Sequence, residues 1–363
     1  MASTIGSTLR VSVFGESHSD AIGCSIDGMP AGVPVDMDAL QRFMDRRAPG
    51  RDATATARRE ADRPRFLCGI VDGRTNGAPI AAVIENGNTR SQDYDELRRI
   101  PRPGHADWPA RVKYHGFNDV AGGGHFSGRL TAPLCIAGGL ALQALEGRGV
   151  RIAAHIASLG PEGIADEPLD PMELDQRQLD ALTSNGFPCI DADAGERMRA
   201  CIMEARSELD SVGGVIECAA YGMPVGAGDP MFDGIENRIA RAAFGIPAVK
   251  GVDFGAGFSA ARLRGSQNND AYRMEAGRVR PQSNHAGGIL GGISTGMPIV
   301  WRMAVKPTPS IGMRQRSVDL DAGENADLTV RGRHDPCIVP RAVPVAEAVC
   351  ALALFELLLE DGL

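Results

Sequence analysis

Residues 345–362, VAEAVCALALFELLLEDG, combine a helical period with an almost entirely apolar composition. The prolines of VPRAVPVAEA just before this stretch predict where the helix starts, and Gly362 predicts where it ends. Four more segments have a helical period, and they lie at 35–47, 129–147, 192–208 and 233–245. Capping residues support these bounds, with aspartates near helix starts and glycines near helix ends: Asp36, Asp38, Asp233, Gly147 and Gly245.

Short alternating runs between these helices predict strands at 9–14, 23–28, 78–86, 150–160, 212–222, 248–258 and 298–306. Strands and helices mix without strict βα alternation, which favours an α+β layered sandwich over a doubly wound parallel sheet. Segments 48–65 and 261–283 are polar and irregular, which is typical of long functional loops. No Pro/Ser-rich linker divides the chain, so we expect one domain over residues 1–363.

Composition excludes several classes of protein. Hydrophobic residues make up 43% of the 363 residues, enough for a large core, and the net charge of −8 argues against a nucleic-acid partner. The eight cysteines form no CxxC pair, which indicates a reduced, cytoplasmic protein. We find no signal segment and no apolar run near the roughly 18–20 residues of a membrane span, so we expect a soluble protein without a membrane partner.

Arginine dominates the positive charge, since the only lysines are Lys113, Lys250 and Lys306. This bias is explained either by genomic base composition or by arginine forks that bind carboxylates and phosphates. Lys306 ends an apolar strand and is followed by Thr308 and Ser310, which suits either a phosphate site or an ordinary turn. The segment 331–341, RGRHDPCIVPR, concentrates further charge around two prolines.

Two histidines lie where loops present functional groups: His18 follows Ser17 after a strand end, and His105 lies in a proline–glycine turn that we expect to leave its ring free. No HxxxH or HExxH spacing occurs, so we expect no metal site. The glycine segment AGGGHFSG, 121–128, precedes a long helix and offers backbone N–H groups to an anion. It matches neither GxGxxG nor GxxxxGK[ST], which disfavours a dinucleotide or P-loop site.

Ten short motifs occur in order along the chain: GESH, DGMPAG, RRAPG, RPGHAD, AGGGHFSGR, DSVGG, IPAVKGVDFGAGF, SNHAGGILGGISTG, KPTPSI and GRHDPC. Together they resemble the chorismate synthase family over essentially the whole chain. The resemblance implies a β-α-α-β sandwich, a homotetramer, and the elimination of phosphate from 5-enolpyruvylshikimate-3-phosphate to give chorismate. It also implies bound reduced FMN without net redox change. Because the long insertions of bifunctional fungal members are missing, an external NAD(P)H-dependent reductase would reduce the flavin.

The resemblance also assigns roles to residues. His18 would protonate reduced flavin, His105 would stand by the phosphate or the flavin, and Asp335 would assist proton removal at flavin N5. The substrate, which carries two carboxylates and a phosphate, would be bound by Ser17, Arg47, Arg51, Arg129 and Arg341. Flavin contacts would come from His125, Phe126, Ser127, Pro247, Ala248, Gly291, Lys306, Pro307, Thr308, Pro309, Ser310 and Arg333, and Arg47 also matches a position that contacts NADPH in bifunctional members.

Four positions depart from the family pattern. Ser19 replaces a glycine, His125 replaces an arginine at a flavin contact, Leu130 replaces a glutamate, and Ala53 replaces an arginine. Two other functions therefore compete with an active lyase. An NADPH-dependent flavin oxidoreductase is disfavoured because no dinucleotide fingerprint occurs. A lapsed, metabolite-binding relative is disfavoured because the three catalytic candidates are retained.

Overall fold

The fold is that of a computed structural model, which describes residues 3–50, 54, 62–87, 95–330 and 335–363. Its helices are α1 (Met37–Arg47), α2 (Asp95–Arg99), α3 (Asp107–Lys113), α4 (Thr131–Glu146), α5 (Gln176–Ser184), α6 (Ala192–Ser207), α7 (Ile235–Ala243), α8 (Gly265–Asn268) and α9 (Val339–Glu360). Its strands are β1 (Thr4–Ile5), β2 (Arg10–Gly15), β3 (Ala21–Asp27), β4 (Arg65–Cys68), β5 (Ile70–Val71), β6 (Arg74–Thr75), β7 (Ile80–Glu85), β8 (Arg151–Leu159), β9 (Ile164–Ala165), β10 (Gly214–Tyr221), β11 (Val249–Phe254), β12 (Tyr272–Glu275), β13 (Arg278–Pro281), β14 (Ile289–Leu290), β15 (Ile293–Ser294), β16 (Ile299–Val305), β17 (Gln315–Asp319) and β18 (Glu324–Leu328).

Two antiparallel sheets enclose a double layer of helices. The first sheet has the order β1-β2-β3-β7-β4 and the second has the order β11-β16-β10-β8-β9. Helix α4 packs on the first sheet, α9 packs on the second, and the two helices pack against each other. The α+β class and the β-α-α-β layering are therefore confirmed, and each of the seven predicted strands and five predicted helices has its counterpart.

The two central helices correct one expectation. Gly128–Glu146 and Val339–Glu360 are long and apolar enough to span a membrane, although we expected no run of that length. Within the fold 78% and 94% of their apolar windows are buried. A helix that is apolar all round must be covered on every side, and here the sheets and the neighbouring helices cover both.

Helix ends follow local chemistry with small shifts. Asp36 caps α1, since its carboxylate accepts the backbone N–H groups of Asp38 and Ala39 at 2.9 Å. Gly147 is the C-cap of α4, as predicted. Helix α9 starts at Val339, earlier than the predicted 345, and Pro344 lies inside it. Pro340 thus belongs to the first turn, where N–H groups lack helical partners, whereas Pro344 lies in the second turn and removes the hydrogen bond that an N–H there would donate to Pro340 O.

Segment 261–283 was expected to be irregular, but it contains α8 and the hairpin of β12 and β13. All four residues of β12 are exposed, and Tyr272 and Met274 alternate with charged residues over only these four positions, which is the lower limit for a strand pattern. Much of segment 48–65 lies outside the described residues. All eight cysteines are free thiols, as predicted from their spacing.

Gly138 sets how closely α4 and α9 approach. A Cβ atom on Gly138 would lie 2.3 Å from Ala348 Cβ and 2.5 Å from Ala348 Cα. Because backbone atoms of α9 cannot move away cheaply, we expect Gly138→Ala to lower the free energy of unfolding by about 1–3 kcal/mol. Urea denaturation measures this change.

The matched control is Gly147→Ala at the end of the same helix. There the added Cβ would lie 3.6 Å from Ala144 O, an ordinary contact. Since alanine also favours helix over glycine, we expect the urea midpoint to stay or to rise slightly. An equal loss in both variants would show that the α4–α9 contact is not the cause.

Candidate functional site

A cavity of about 560 Å³ lies where the end of α1 meets the starts of α4 and α9. Its volume is in the range of roughly 300–1,000 Å³ that is common for small-molecule sites. Many of the predicted site residues line it: Arg47, His105, His125, Phe126, Ser127, Arg129, Pro247, Ala248, Lys306, Thr308, Pro309, Ser310, Asp335 and Arg341. Residues from distant parts of the chain are thus gathered into one cavity.

One wall of the cavity holds two arginines that share a carboxylate. Arg47 Nη1 donates to Asp62 Oδ2 at 2.6 Å, and Arg129 Nη1 donates to Asp62 Oδ1. All three side chains are at most 5% exposed. Burial alone would raise the pKa of Asp62, but the charges of Arg47 and Arg129 outweigh it and lower that pKa. The trio keeps a net positive charge, which favours binding of an anion.

A third arginine lies beside this pair. Arg341 Nε donates to Arg47 O at 3.1 Å, and Arg341 Nη1 donates to Asp335 Oδ2 at 2.5 Å. Arg341 belongs to the first turn of α9, and Arg129 comes just before α4. Both helix starts add positive backbone dipoles to the arginine charges. This corner of the cavity can therefore hold several anionic groups.

The glycine segment forms the opposite edge, where Gly122, Gly123 and Gly124 have φ values of +59°, +88° and +52°. A Cβ atom on Gly122 would lie 2.3 Å from two ring atoms of His18 and 2.6 Å from Ser17 Oγ. Only glycine combines this backbone conformation with such a close approach. His18 and Ser17 therefore lie directly behind the lining residue Gly122, without lining the cavity themselves.

His105 lies in the predicted turn: its N–H donates to Arg102 O at 3.3 Å, and Gly104 has a φ of +73°. The turn was expected to leave the ring free, and this is wrong. His105 Nδ1 lies 2.5 Å from Asp107 Oδ1, and Arg102 donates two hydrogen bonds of 2.7 Å to the same carboxylate. Burial opposes ionisation of Asp107, but the contacts with Arg102 and His105 hold its pKa well below the usual range.

Segment 305–312 is attached to this turn by two hydrogen bonds. Lys306 Nζ donates to Gly104 O at 2.9 Å, and Arg102 Nη1 donates to Ser310 Oγ at 3.1 Å. Burial, and then the charge of Lys250, lower the pKa of Lys306. A lysine that is partly desolvated beside a second cation gains from the arrival of an anion. The predicted phosphate site at Lys306 thus has an electrostatic basis.

Three of the four departures from the family pattern, His125, Ser19 and Leu130, have local explanations. His125 makes hydrogen bonds through both ring nitrogens, Nδ1 with Gly15 O at 2.8 Å and Nε2 with Ser3 Oγ at 2.7 Å. Ser19 closes its own turn, since its Oγ accepts from Glu16 N at 3.0 Å. Leu130 is 7% exposed and belongs to the core. His125 therefore joins the glycine segment to the first sheet.

Some predicted site residues lie elsewhere. Gly291 lies between β14 and β15 in a tight turn and does not line the cavity, and neither does Pro307. Arg51 and Arg333 lie outside the described residues, as does Ala53. Their predicted contacts stay predictions.

A second cavity, of about 730 Å³, lies between α1, α5, β8 and α9. Of the predicted site residues it shares only Arg341 with the first cavity. Among the described residues, no group of three or more His, Cys, Asp or Glu side chains is placed to hold a metal ion.

Sequence reasoning missed Asp62, Arg102 and Asp107. Asp62 comes from a polar segment without periodicity, so nothing local marks it. Arg102 and Asp107 belong to the motif RPGHAD, and the spacing of two charged residues around a histidine was an available signal. All three are at most 6% exposed, which is rare for charged groups unless they are paired.

Comparison with known proteins gives consistent matches. The family model described as chorismate synthase matches residues 9–359. A chorismate synthase of Lancefieldella parvula is 48% identical, over 99% of this chain and 96% of the relative. One of Korarchaeum cryptofilum is 46% identical, over 97% of this chain and 96% of the relative. A crystal structure of a chorismate synthase superposes with a TM-score of 0.76 at 28% identity, covering 98% of this chain and 93% of that one.

Asp62 should stabilise the fold in a pH-dependent way. Since its pKa is lowered from 3.8 on folding, its contribution is complete above that pH and is lost as the pH falls through the lowered value. We expect Asp62→Asn to lower the free energy of unfolding by about 3–5 kcal/mol near pH 7, because two buried arginines lose their carboxylate. The difference between variant and wild type should shrink below about pH 4.

The control is Asp27→Asn, which breaks an exposed pair with Arg10 whose side chains are 44% and 58% exposed. Such a pair contributes about 0–1 kcal/mol. Denaturant titrations of both variants from pH 3 to pH 8 test the prediction. A loss for Asp62→Asn that is no larger than that of the control would contradict it.

Proposed function

Because the chain belongs to the chorismate synthase family of carbon–oxygen lyases acting on phosphates, we propose that it binds reduced FMN and eliminates phosphate from 5-enolpyruvylshikimate-3-phosphate. The product is chorismate, the precursor of aromatic amino acids in the shikimate pathway. One observation carries the proposal: three arginines, a lysine and an oriented histidine converge on one cavity of an acidic protein.

The cationic corner suits this substrate, which carries two carboxylates and one phosphate. Arg47, Arg129 and Arg341 supply fork-shaped donors for such groups. Asp62 keeps the first two arginines apart and in place before an anion arrives, so little side-chain ordering remains to be done on binding.

The donor set also fits FMN. Lys306 offers a cation, and the backbone of the glycine segment offers N–H groups at positive φ, which suit a phosphate. Phe126, Ile246 and Pro247 give the same cavity an apolar wall for a ring system. When bound there, reduced FMN would supply the electron density that the loss of phosphate requires.

The chain's own residues would donate and accept protons around these ligands. His105 presents Nε2 to the cavity and would donate a proton to the departing phosphate oxygen. Asp335 lines the cavity, and its carboxylate accepts a hydrogen bond from Arg341. His18 lies behind Gly122 and would be a further group that binds and releases a proton. The elimination breaks one C–O bond to phosphate and one ring C–H bond, so each turnover releases one phosphate and one proton.

Three further features belong to the proposal. An external NAD(P)H-dependent reductase would reduce the flavin, since the sequence has no dinucleotide fingerprint. We also propose a homotetramer in the cytoplasm, on the strength of the family relationship.

The decisive assay is anaerobic turnover with photoreduced FMN. We expect chorismate and phosphate in equal amounts, and negligible turnover with NADPH and FMN in air. Robust aerobic turnover on NADPH alone would show an intrinsic reductase instead. NADPH oxidation that needs no substrate would support the flavin oxidoreductase, and tight substrate binding without product would support a lapsed relative.

His105→Asn should separate the catalytic role from a structural one. We expect turnover to fall by about 10²–10⁴-fold, because a general acid is lost, while flavin and substrate still bind. The thermal midpoint should change little, since the ring lines the cavity and the amide N–H₂ of asparagine can still donate to Asp107.

His115→Asn is the matched control. His115 is exposed, does not line the cavity and has a φ of +54°, which asparagine tolerates. Turnover and melting are measured on the same preparation of each variant. Wild-type turnover in a stable His105→Asn protein would refute the catalytic role.

A further inference from the structure

We propose that Asp107, itself held by Arg102, is a positioning residue that fixes the tautomer and ring orientation of His105, so that Nε2 alone faces the ligands. The inference deepens the proposed function and rests on it for its kinetic consequence. Its structural part stands on the geometry of the motif RPGHAD alone.

The distance between ring and carboxylate decides the tautomer. His105 Nδ1 lies 2.5 Å from Asp107 Oδ1. An ionised carboxylate only accepts hydrogen bonds, so two lone pairs would face each other at this distance unless Nδ1 carries the hydrogen. Arg102 Nη2 also lies 3.1 Å from the same Nδ1, and one of its two hydrogens goes to Asp107 Oδ1 at 2.7 Å. The second hydrogen faces Nδ1 over the longer distance and does not relieve the repulsion of two lone pairs at 2.5 Å, so the contact with Asp107 decides the tautomer.

The carboxylate of Asp107 is also saturated. Oδ1 accepts from His105 Nδ1 and Arg102 Nη2, and Oδ2 accepts from Arg102 Nε at 2.7 Å and from Arg102 N at 3.0 Å. An ionised carboxylate has about four acceptor sites, and all are used. Asp107 is 5% exposed and Arg102 is 6% exposed, so water does not compete for these contacts. The carboxylate can therefore orient the ring but has no room to take up a proton.

The other ring nitrogen faces the cavity. A Cβ atom on Gly123 would lie 3.0 Å from His105 Nε2 and 3.2 Å from Cε1, so this edge of the ring looks onto the glycine segment. Both His105 and the neighbouring Gly122 line the cavity. The proton that His105 exchanges with a ligand is thus the one on Nε2.

Arg102 changes what Asp107 contributes. The guanidinium pairs with the carboxylate through two contacts of 2.7 Å, so the two charges largely cancel. The same arginine donates to Ser310 Oγ at 3.1 Å and thereby ties the turn to segment 305–312. The Arg102–Asp107 pair therefore orients the His105 ring more than it changes the charge around it.

The first test does not use activity. In protein labelled with ¹⁵N at histidine only, the imidazole nitrogens are observed at pH 8.5, and the His105→Asn spectrum identifies the signals of His105. We expect neutral His105 to carry its hydrogen on Nδ1. In Asp107→Asn the amide oxygen stays with Arg102 and the amide N–H₂ faces Nδ1, so the hydrogen should move to Nε2.

The second test is kinetic. We expect Asp107→Asn to lower kcat by about 10²-fold with KM and flavin affinity within a factor of two, because the wrong tautomer is presented. The matched control is Asp270→Asn, which alters a carboxylate 3.3 Å from His285 Nδ1, a histidine that is 41% exposed. Its kcat should stay within a factor of two of the wild-type value.

The outcomes distinguish the two proposals. A wild-type His105 with its hydrogen on Nε2, or an Asp107→Asn protein with unchanged tautomer and turnover per folded molecule, overturns the positioning role. A merely structural Asp107 would lower the melting temperature without moving the tautomer or kcat. If the wild type makes no chorismate, the proposed function fails, and the tautomer measurement still decides this inference.

Discussion

The contact between α4 and α9 is the constraint on which the rest of the structure depends. Both helices are apolar on nearly every face, so neither is stable until a sheet covers one side and its partner covers the other. Gly138 allows the two backbones to approach closely at Ala348. Because Arg129 precedes one helix and Arg341 belongs to the first turn of the other, the same contact brings two cations to one place.

Buried charge gives these apolar helices a defined orientation. Glu347 of α9 is 4% exposed and accepts from Arg46 through both guanidinium ends, at 2.6 and 2.7 Å. Near the other end of α9, Glu356 accepts backbone N–H groups of the segment before β2, including Thr8 at 2.9 Å. An apolar helix can slide or rotate at little cost, whereas a buried carboxylate that loses its partners costs several kcal/mol. These contacts therefore define the register of α9 against its neighbours.

The cavity uses carboxylates in two different ways. Asp62 divides one negative charge between two arginines, so a net positive charge remains for anionic ligands. Asp107 is instead paired with a single arginine, and its remaining acceptor site binds the ring of His105. The first arrangement leaves a positive charge that attracts an anion. The second fixes the orientation of the ring that would transfer a proton. Placing both arrangements beside one cavity requires that the charged groups be buried and fully hydrogen bonded.

The sequence by itself determined the helices, the main strands, the layered α+β class and about half of the residues that line the cavity, because these depend on local periodicity, capping and motifs. The hairpin at 272–281 was missed because each of its strands has only four residues and most of their side chains are exposed. The tertiary structure alone decided that Asp62 bridges Arg47 and Arg129, and that the ring of His105 is held rather than free. It also decided that two helices of membrane-spanning length are core helices. The physical reason is the same in each case: the partner that satisfies a buried charge, or covers an apolar face, is supplied by the packed fold and is not specified by the local pattern.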